Sequence, residues 1–503
     1  MATERALLDV LLAIRTTLLS AERNGRDLVS GMRADDAESV RNFVHYRALR
    51  AHELRPLQEA LARLGLSSLG RSEAHVLATV DAVIRVLERL TGSHVELAPS
   101  AGAPTFESGR ARLERRARDL LGSARRRSVR IMVTLSAEDA GDERRVRALL
   151  ERGMDVARIN CAHDDASVWA ALVRHVQSAR SATGQPCRIM MDIAGPKLRT
   201  GPVEAEIFLR EGDRLRVVRK QVIGKRGRLD ARGEIVVPFV SCSPPELLDA
   251  VTVGMPIWFD DGKLGGVVVA ADADGIDVVI RRAPVEGRAL REDKGINLPD
   301  TPLSLPALTE ADRDCLPFIV RHADVVALSF AQSSRDVHSL ETELRRLDAR
   351  CGVVLKIETK RGFEALPDIL VHALGSRPIG VMIARGDLAV EVGFERLAEV
   401  QEEILWLCEA AHVPVIWATQ VLDRLARKGL PTRAEITDAA MSERAECVML
   451  NKGRHLLEAV RVLDDVLTRM SAHQYKKTSS LRPLSVARRG LSSGIGMSSL
   501  AAK

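Results

Sequence analysis

The sequence predicts an α/β fold class: a closed (β/α)8 barrel of the TIM type, with an inserted β-rich lid domain and an N-terminal all-α domain. Three observations predict it. From Val129 onward eight short apolar runs, rich in β-branched residues, alternate with helical stretches, as in a parallel sheet covered by helices. The spacing jumps between the third and fourth runs, where residues 203–294 turn to period-two alternation with turn signals. The first hundred residues show only apolar positions recurring every three or four residues. An open doubly wound sheet is the structural alternative for the eight runs.

Taken in order, residues 1–125 read as a helical domain, with amphipathic runs at 39–65 and 72–90 and a Gly-, Pro- and Ser-rich linker at 92–109. The barrel's first part, 126–202, holds runs at 130–135, 155–160 and 188–193. The insert at 203–294 leaves after a strand's C-terminal end, so it is expected above the face where such barrels place their sites, positioned to act as a lid. The second barrel part, 295–475, holds runs at 324–330, 353–358, 379–384, 414–419 and 447–451. Residues 476–503, serine-rich and aperiodic, are expected to be a disordered tail.

Composition narrows the function classes. A chain of 503 residues accommodates roughly three domains, and 46% hydrophobic with only 3% aromatic residues calls for aliphatic cores and excludes a disordered chain. The net charge of +6 does not by itself imply nucleic acid. Nine arginines between Arg110 and Arg130 form the densest basic block, read as a solvated helix face and linker because no aromatic interleaves it for base stacking. Seven scattered cysteines without a CxxC pair give neither a disulfide framework nor a zinc ribbon and point to a reducing cytoplasm. No apolar run reaches the ~18 residues of a membrane helix, so no membrane partner is expected.

Polar residues end the eight runs: Thr134, Arg158 with Asn160, Asp192, Ser329, Lys356 with Glu358, Arg385 with Asp387, Thr419, and Asn451 with Lys452. Unpaired charges in a core are costly, and in a barrel these positions converge on the C-terminal face. Glu358 and Asp387 are the kind of carboxylate pair that holds Mg²⁺, or Mn²⁺, with water and substrate oxygens completing the octahedron. Lys356 and Arg158 add positive charge for a phosphoryl group or a developing enolate.

The segments MDVARINCAH, MDIAGPKLRTG, WFDDGKLGGVV, DKGINLP, SFAQSSRDVHSL, VLKIETKRGFEALPDIL, VMIARGDLAVEVG, PVIWATQVLDRLARKGLPTRAEITDAA and CVMLNKG follow one another in the order, and near the spacing, of those in pyruvate kinases. Over residues 129–470 the chain therefore resembles that family. The resemblance implies phosphoryl transfer from phosphoenolpyruvate to ADP, giving pyruvate and ATP in glycolysis. It implies that Lys356 contacts the transferred phosphoryl and that Arg158 contacts phosphate too. It gives Glu358 and Asp387 the metal, Thr419 the proton relay to the enolate carbon, and the backbone at Ala384, Arg385 and Gly386 the substrate carboxylate. Asn160, His163, Arg199 and Asp261 match nucleotide-side positions, with Asp260 an alternative to Asp261; the chain has no Walker sequence.

Departures from the family pattern add expectations. The four places that hold a monovalent cation in many members are Asn160, Ala162, Asp192 and Ile193, lacking two hydroxyls, and Lys197 stands where potassium-dependent members carry Glu. Lys197, partnered by Asp192, is expected to substitute for the ion and remove the potassium requirement. The loop at 450–455 (LNKGRH) is shortened on the nucleotide side, and after about residue 475 no room remains for the family's C-terminal effector domain. The N-terminal helices read as a packing or assembly module in a homo-oligomer. Alternatives are a Mg²⁺-dependent enolate-forming lyase or decarboxylase on the same barrel, and a non-catalytic regulatory or binding protein that uses the N-terminal helices.

Overall fold

The computed structural model describes residues 2–97, 102–125, 127–229, 235–301 and 306–479. Five helices open the chain: α1 (Ala2–Asn24), α2 (Ala34–Arg50), α3 (Arg55–Arg63), α4 (Val76–Thr91) and α5 (Phe106–Leu121). The run at 39–65 is two helices, not one. Pro56, at the start of α3, has no N–H to donate and disfavours helical backbone in the residue before it, so the chain breaks upstream at 51–54. Leu8, Leu11 and Leu18 of α1, Val40 and Phe43 of α2, and Val80 and Ile84 of α4 are fully buried, in one core continuous with the barrel.

The seam between these helices and the barrel is polar and hydrogen-bonded at its centre. The Asn42 amide donates to the carbonyls of Glu73 (2.7 Å) and Ala410 (2.8 Å), and its oxygen accepts from the Val76 N–H at 2.9 Å. His412, buried beside it, contacts Ser39 Oγ and the Ala74 carbonyl, and burial pushes its pKa down to about 3, keeping it neutral. Part of the arginine block is buried and paired here, which corrects its reading as a wholly solvated face, while Arg110 and Arg118 stay exposed. Arg112 pairs with Glu38, Arg116 with Asp36 at 2.6 Å, and Arg127 with Asp155 at 2.7 Å, while Arg130 donates to the Gly122 carbonyl. Acidic residues at the start of α2 supply counter-charges that the linear sequence leaves far away.

Eight parallel strands close the barrel: β1 (Arg130–Leu135), β2 (Val156–Asn160), β3 (Arg188–Asp192), β4 (Val325–Leu328), β5 (Gly352–Ile357), β6 (Ile379–Ala384), β7 (Val415–Ala418) and β8 (Cys447–Leu450). Because β1 pairs with both β2 and β8, the open-sheet alternative is excluded. Around and between the strands run α6 (Glu143–Glu151), α7 (Ala166–Thr183), α8 (Glu310–His322), α9 (Ser334–Arg346), α10 (Leu366–Ala373), α11 (Arg385–Val392), α12 (Leu397–Ala410), α13 (Arg433–Met441) and α14 (Leu456–Ser471). Met132, Met190, Val354, Met382, Ile416 and Met449 fill the interior, and Leu120 and Leu121 of α5 join them from below. The N-terminal helical region thus plugs the barrel floor. Gly352 and Gly380 make room for the plug: a Cβ on either would stand 2.5 or 2.6 Å from the Leu120 methyls.

The insert forms its own seven-stranded sheet, which reaches past the expected 203–294 at both ends, in the spatial order Ile296–Asn297, Pro256–Phe259, Leu264–Asp272, Gly275–Arg282, Arg214–Val218, Phe239–Ser243 and Arg199–Thr200. Its separate core holds Leu215, Val217, Val240, Ile257, Phe259, Leu264, Val278 and Ile280, the inward half of the period-two pattern. The turn at Asp260–Gly262 reaches the barrel: a Cβ on Gly262 would lie 3.0 Å from Val390 of α11. At the other end of the chain the expected tail is partly ordered, contrary to the sequence reading. Gln474–Tyr475 and Thr478–Ser479 make a hairpin whose tip buries Lys476 against Glu446, while Lys477 pairs with Glu73 and lies over Trp406. The rest of the tail reading, 480–503, falls outside the described residues.

Leu120→Ala should lower unfolding free energy by about 2–5 kcal/mol in urea titration, the usual range for an unfilled leucine site. Gly380→Ala should destabilise the wild-type chain by at least ~1 kcal/mol through overpacking and cost measurably less on the Leu120→Ala background. Additive losses would refute the plug.

Candidate functional site

The site is built from the C-terminal ends of β2 to β7. Lys356, two residues before Glu358, shares its face because strand side chains alternate. The Lys356 ammonium lies 3.2 Å from Asp192 Oδ1 on β3 and 3.1 Å from Glu358 Oε1, and donates to Ser329 Oγ at 2.8 Å. Arg158 on β2 grips the other oxygen of Asp192 through Nε at 3.0 Å and donates to Thr134 Oγ1 at 3.1 Å. The Ser329 hydroxyl in turn donates to the Ile193 carbonyl at 2.7 Å. Arg158, Asp192, Ser329, Lys356 and Glu358 are all buried.

Charge pairing decides the protonation states here. Burial opposes charge on both Asp192 and Lys356, but the lysine and Arg158 outweigh it at Asp192, whose carboxyl is held below the ordinary range. Asp192 and Glu358 outweigh it at Lys356, whose ammonium is held above the ordinary lysine value. Burial pushes the Glu358 carboxyl upward, against the attraction of Lys356, and the neighbouring charge of Asp387 adds to the rise. Glu358 Oε2 accepts the Phe330 N–H at 2.8 Å, which fixes the carboxylate plane.

Asp387 stands in the first turn of α11, directly after β6, the neighbour of β5. Its Oδ1 receives the Lys197 ammonium at 2.7 Å. This corrects the expected partnership of Lys197 with Asp192, whose oxygens are taken by Arg158, Lys356 and Ser329. Asp387 is near enough to disfavour charge on Glu358, an arrangement that a divalent cation between them would relieve. Among the described residues no group of three or more His, Cys, Asp or Glu side chains is arranged to hold a metal. A cation held between these two carboxylates would have to take most of its ligands from water and substrate oxygens, as Mg²⁺ commonly does.

The insert contributes one acidic residue to this mouth. Asp261 is exposed and 4.0 Å from Lys197, while Asp260 is buried under Arg288 (2.8 Å) and Lys263 (3.2 Å), so of the two candidates Asp261 is the one that approaches Lys197. On the opposite flank His163, half-buried, has its pKa lowered by burial and by the nearby Lys452 and Arg199. Arg199 is tied to Asp293, and Asn160 spends its Oδ1 on the Ala162 N–H at 3.1 Å. Asn160 thus shapes the loop after β2.

Thr419 follows β7 in a run of left-handed residues: φ is 65° at Thr419, 59° at Gln420 and 48° at Leu422. Each costs about 1–2 kcal/mol outside glycine. The Thr419 hydroxyl accepts the Gly386 N–H at 2.9 Å, placing it against the start of α11, one residue from Asp387. Ala384 ends β6 and Gly386 opens the helix, whereas the Arg385 side chain turns away toward Asp438, at 2.5 and 2.9 Å.

Sequence reading missed Glu391 and Asn297. Asn297, at the insert's return strand, donates to Glu391 at 3.2 Å, and burial pushes Glu391 up to about 7. The available signal was the four-residue spacing from Asp387, which sets both carboxylates on one face of α11.

The family model described as pyruvate kinase, barrel domain, matches residues 126–457. The pyruvate kinase of Geobacillus stearothermophilus is 32% identical over 353 residues, covering 68% of this chain and 57% of that protein. That of Thermotoga maritima is 31% identical over 348 residues, covering 68% and 70%. Among solved structures, a pyruvate kinase from Cryptosporidium parvum superposes with a TM-score of 0.61 at 27% identity over 69% of each chain.

Asp192→Asn should destabilise the chain by about 3–5 kcal/mol in denaturant titration, the range for removing one partner of a buried ionic group. Adding Lys356→Met should recover part of the loss. A fall below ~1 kcal/mol, as for a surface pair, would show that the network is not buried in solution.

Proposed function

Because the chain belongs to the pyruvate kinase family, we propose that it transfers the phosphoryl group of phosphoenolpyruvate to ADP, forming pyruvate and ATP. The observation that carries this reading is the convergence of Lys356, Arg158, Glu358 and Asp387 on one barrel mouth, with Lys356 held charged between Asp192 and Glu358.

In this reading Lys356 and Arg158 receive the transferring phosphoryl, and the ammonium of Lys356 balances the negative charge that grows on the enolate oxygen. Neither side chain needs to reorganise, since Asp192 and Ser329 already fix their heads. Glu358 and Asp387 hold Mg²⁺, or Mn²⁺ in its place, which when bound neutralises substrate carboxylate and phosphate oxygens. The junction of β6 and α11, at Ala384, Arg385 and Gly386, orients the substrate carboxylate. The Thr419 hydroxyl stands where a proton can pass through water to the enolate carbon.

Asn160, His163, Arg199 and Asp261 border the nucleotide side, and Lys452 joins them through its proximity to His163. The insert acts as a lid that excludes water from the phosphoryl group, a role supported by the Asp261 approach to Lys197. Potassium is not required: Lys197 supplies a fixed positive charge 2.7 Å from Asp387, and Ala162 and Ile193 offer no hydroxyl ligands. All seven cysteines are unpaired, which supports a reducing cytoplasm as the setting.

Purified protein with phosphoenolpyruvate, ADP and Mg²⁺ should form pyruvate in a coupled assay, and Lys356→Met should lower kcat by about 10³-fold with the fold intact by circular dichroism. Absence of pyruvate with every common nucleoside diphosphate would overturn the reading.

The rate should be the same in potassium-free and potassium-containing buffer. Activity that appears only when potassium is added would refute the Lys197 assignment.

A further inference from the structure

Three residues of β7 and the turn after it, Trp417, Ala418 and Thr419, converge on one guanidinium. Arg385 donates through Nε to the Ala418 carbonyl at 3.0 Å and through Nη2 to the Thr419 carbonyl at 2.5 Å. Its remaining donors meet both oxygens of Asp438 on α13, and its plane lies over the Trp417 ring, 4.9 Å from the centroid. The side chain is buried. These contacts fall where the backbone is least able to hold its own shape, since Thr419, a β-branched residue, and Gln420 are both left-handed.

The same arginine opens α11. The next residue, Gly386, gives its N–H to Thr419 Oγ1, and the residue after that is Asp387. Arg385 therefore ties the threonine hydroxyl and the metal-side carboxylate into one rigid corner. A lysine cannot replace it: only the planar fork satisfies two carbonyls and a carboxylate together.

We propose that Arg385, oriented by Asp438, is a positioning residue for the protonation half of the reaction. This rests on the proposed function. In that sequence the bond between phosphorus and the enol oxygen breaks as phosphorus bonds to an ADP oxygen, leaving enolpyruvate. The enolate electron pair then takes a proton at the methylene carbon from water beside the Thr419 hydroxyl, and the carbonyl forms at the neighbouring carbon. Arg385 touches no reacting atom in this scheme. It holds Thr419 in the left-handed conformation that presents its hydroxyl to the start of α11.

The test compares Arg385→Lys and Asp438→Asn with wild type in two assays: pyruvate formation, and solvent-deuterium exchange into the pyruvate methyl group with ATP and Mg²⁺ present. Arg385→Lys should lower exchange by about 10²-fold, the scale of an ångström-sized misplacement, a larger factor than that by which it raises KM for phosphoenolpyruvate. Asp438→Asn should show a smaller loss of the same kind, and serves if Arg385→Lys does not fold. On a Thr419→Ala background neither substitution should reduce exchange further, because their effect passes through Thr419. Unchanged exchange in a folded variant, or losses additive with Thr419→Ala, would overturn the inference while leaving the function standing. A wild-type chain that never turns phosphoenolpyruvate over removes the function first.

Discussion

The structure depends on burying one ammonium. Lys356 sits at the barrel mouth with almost no access to solvent, where an isolated cation would deprotonate or pull the mouth open. Asp192 and Glu358 prevent both, and Asp192 in turn needs Arg158 to stay ionised beneath the surface. Each charge is tolerable only because the others are present, so the positions of β2, β3 and β5 relative to one another are fixed by electrostatics as well as by the strand ladder. The resulting mouth is positive where the proposed function puts phosphate and negative where it puts a cation. That polarity is set before any ligand arrives, which is the condition for electrostatic stabilisation of a transition state without reorganisation.

A barrel has two ends, and this chain treats both. At the floor, α5 inserts Leu120 and Leu121 below the interior methionines, against glycines that leave space for them. The N-terminal helices are joined to the barrel by Asn42, His412 and the arginine pairs, so they share its core and its stability. At the top the insert keeps a core of its own and meets the barrel through small contacts, at Gly262 against Val390, Asn297 with Glu391, and Asp261 near Lys197. One end is welded and the other touches lightly. A separate core with few cross-contacts is what relative motion of the insert requires.

Much of the fold was legible because periodicity survives in one dimension. The eight runs became β1 to β8 within a residue or two, since each is buried on both faces and so reads as continuously apolar. The strand-end polar residues were legible for the complementary reason, as interruptions of such runs. What failed was partner choice. Lys197 was matched with Asp192 because both lie near one motif, yet it reaches Asp387, 190 positions along the chain. The arginine block read as a solvated face because its counter-charges, Asp36, Glu38 and Asp155, are not adjacent in sequence. The hairpin at 474–479 was missed because its order comes from the buried Lys476 and Glu446 pair.

The sequence by itself determined which residues end the strands and hence the chemistry available at the mouth: a lysine, an arginine, two carboxylates and a threonine, on a barrel whose alternation of strand and helix fixes the face they share. Only the tertiary structure decided how their charges are divided. Pairing depends on distances of a few ångströms between segments far apart in the chain, and attraction strong enough to offset desolvation exists only where the fold has excluded water. That is why Asp261 approaches Lys197 while Asp260 is buried under Arg288, why Lys197 meets Asp387, and why the Arg385 side chain binds the backbone of Thr419.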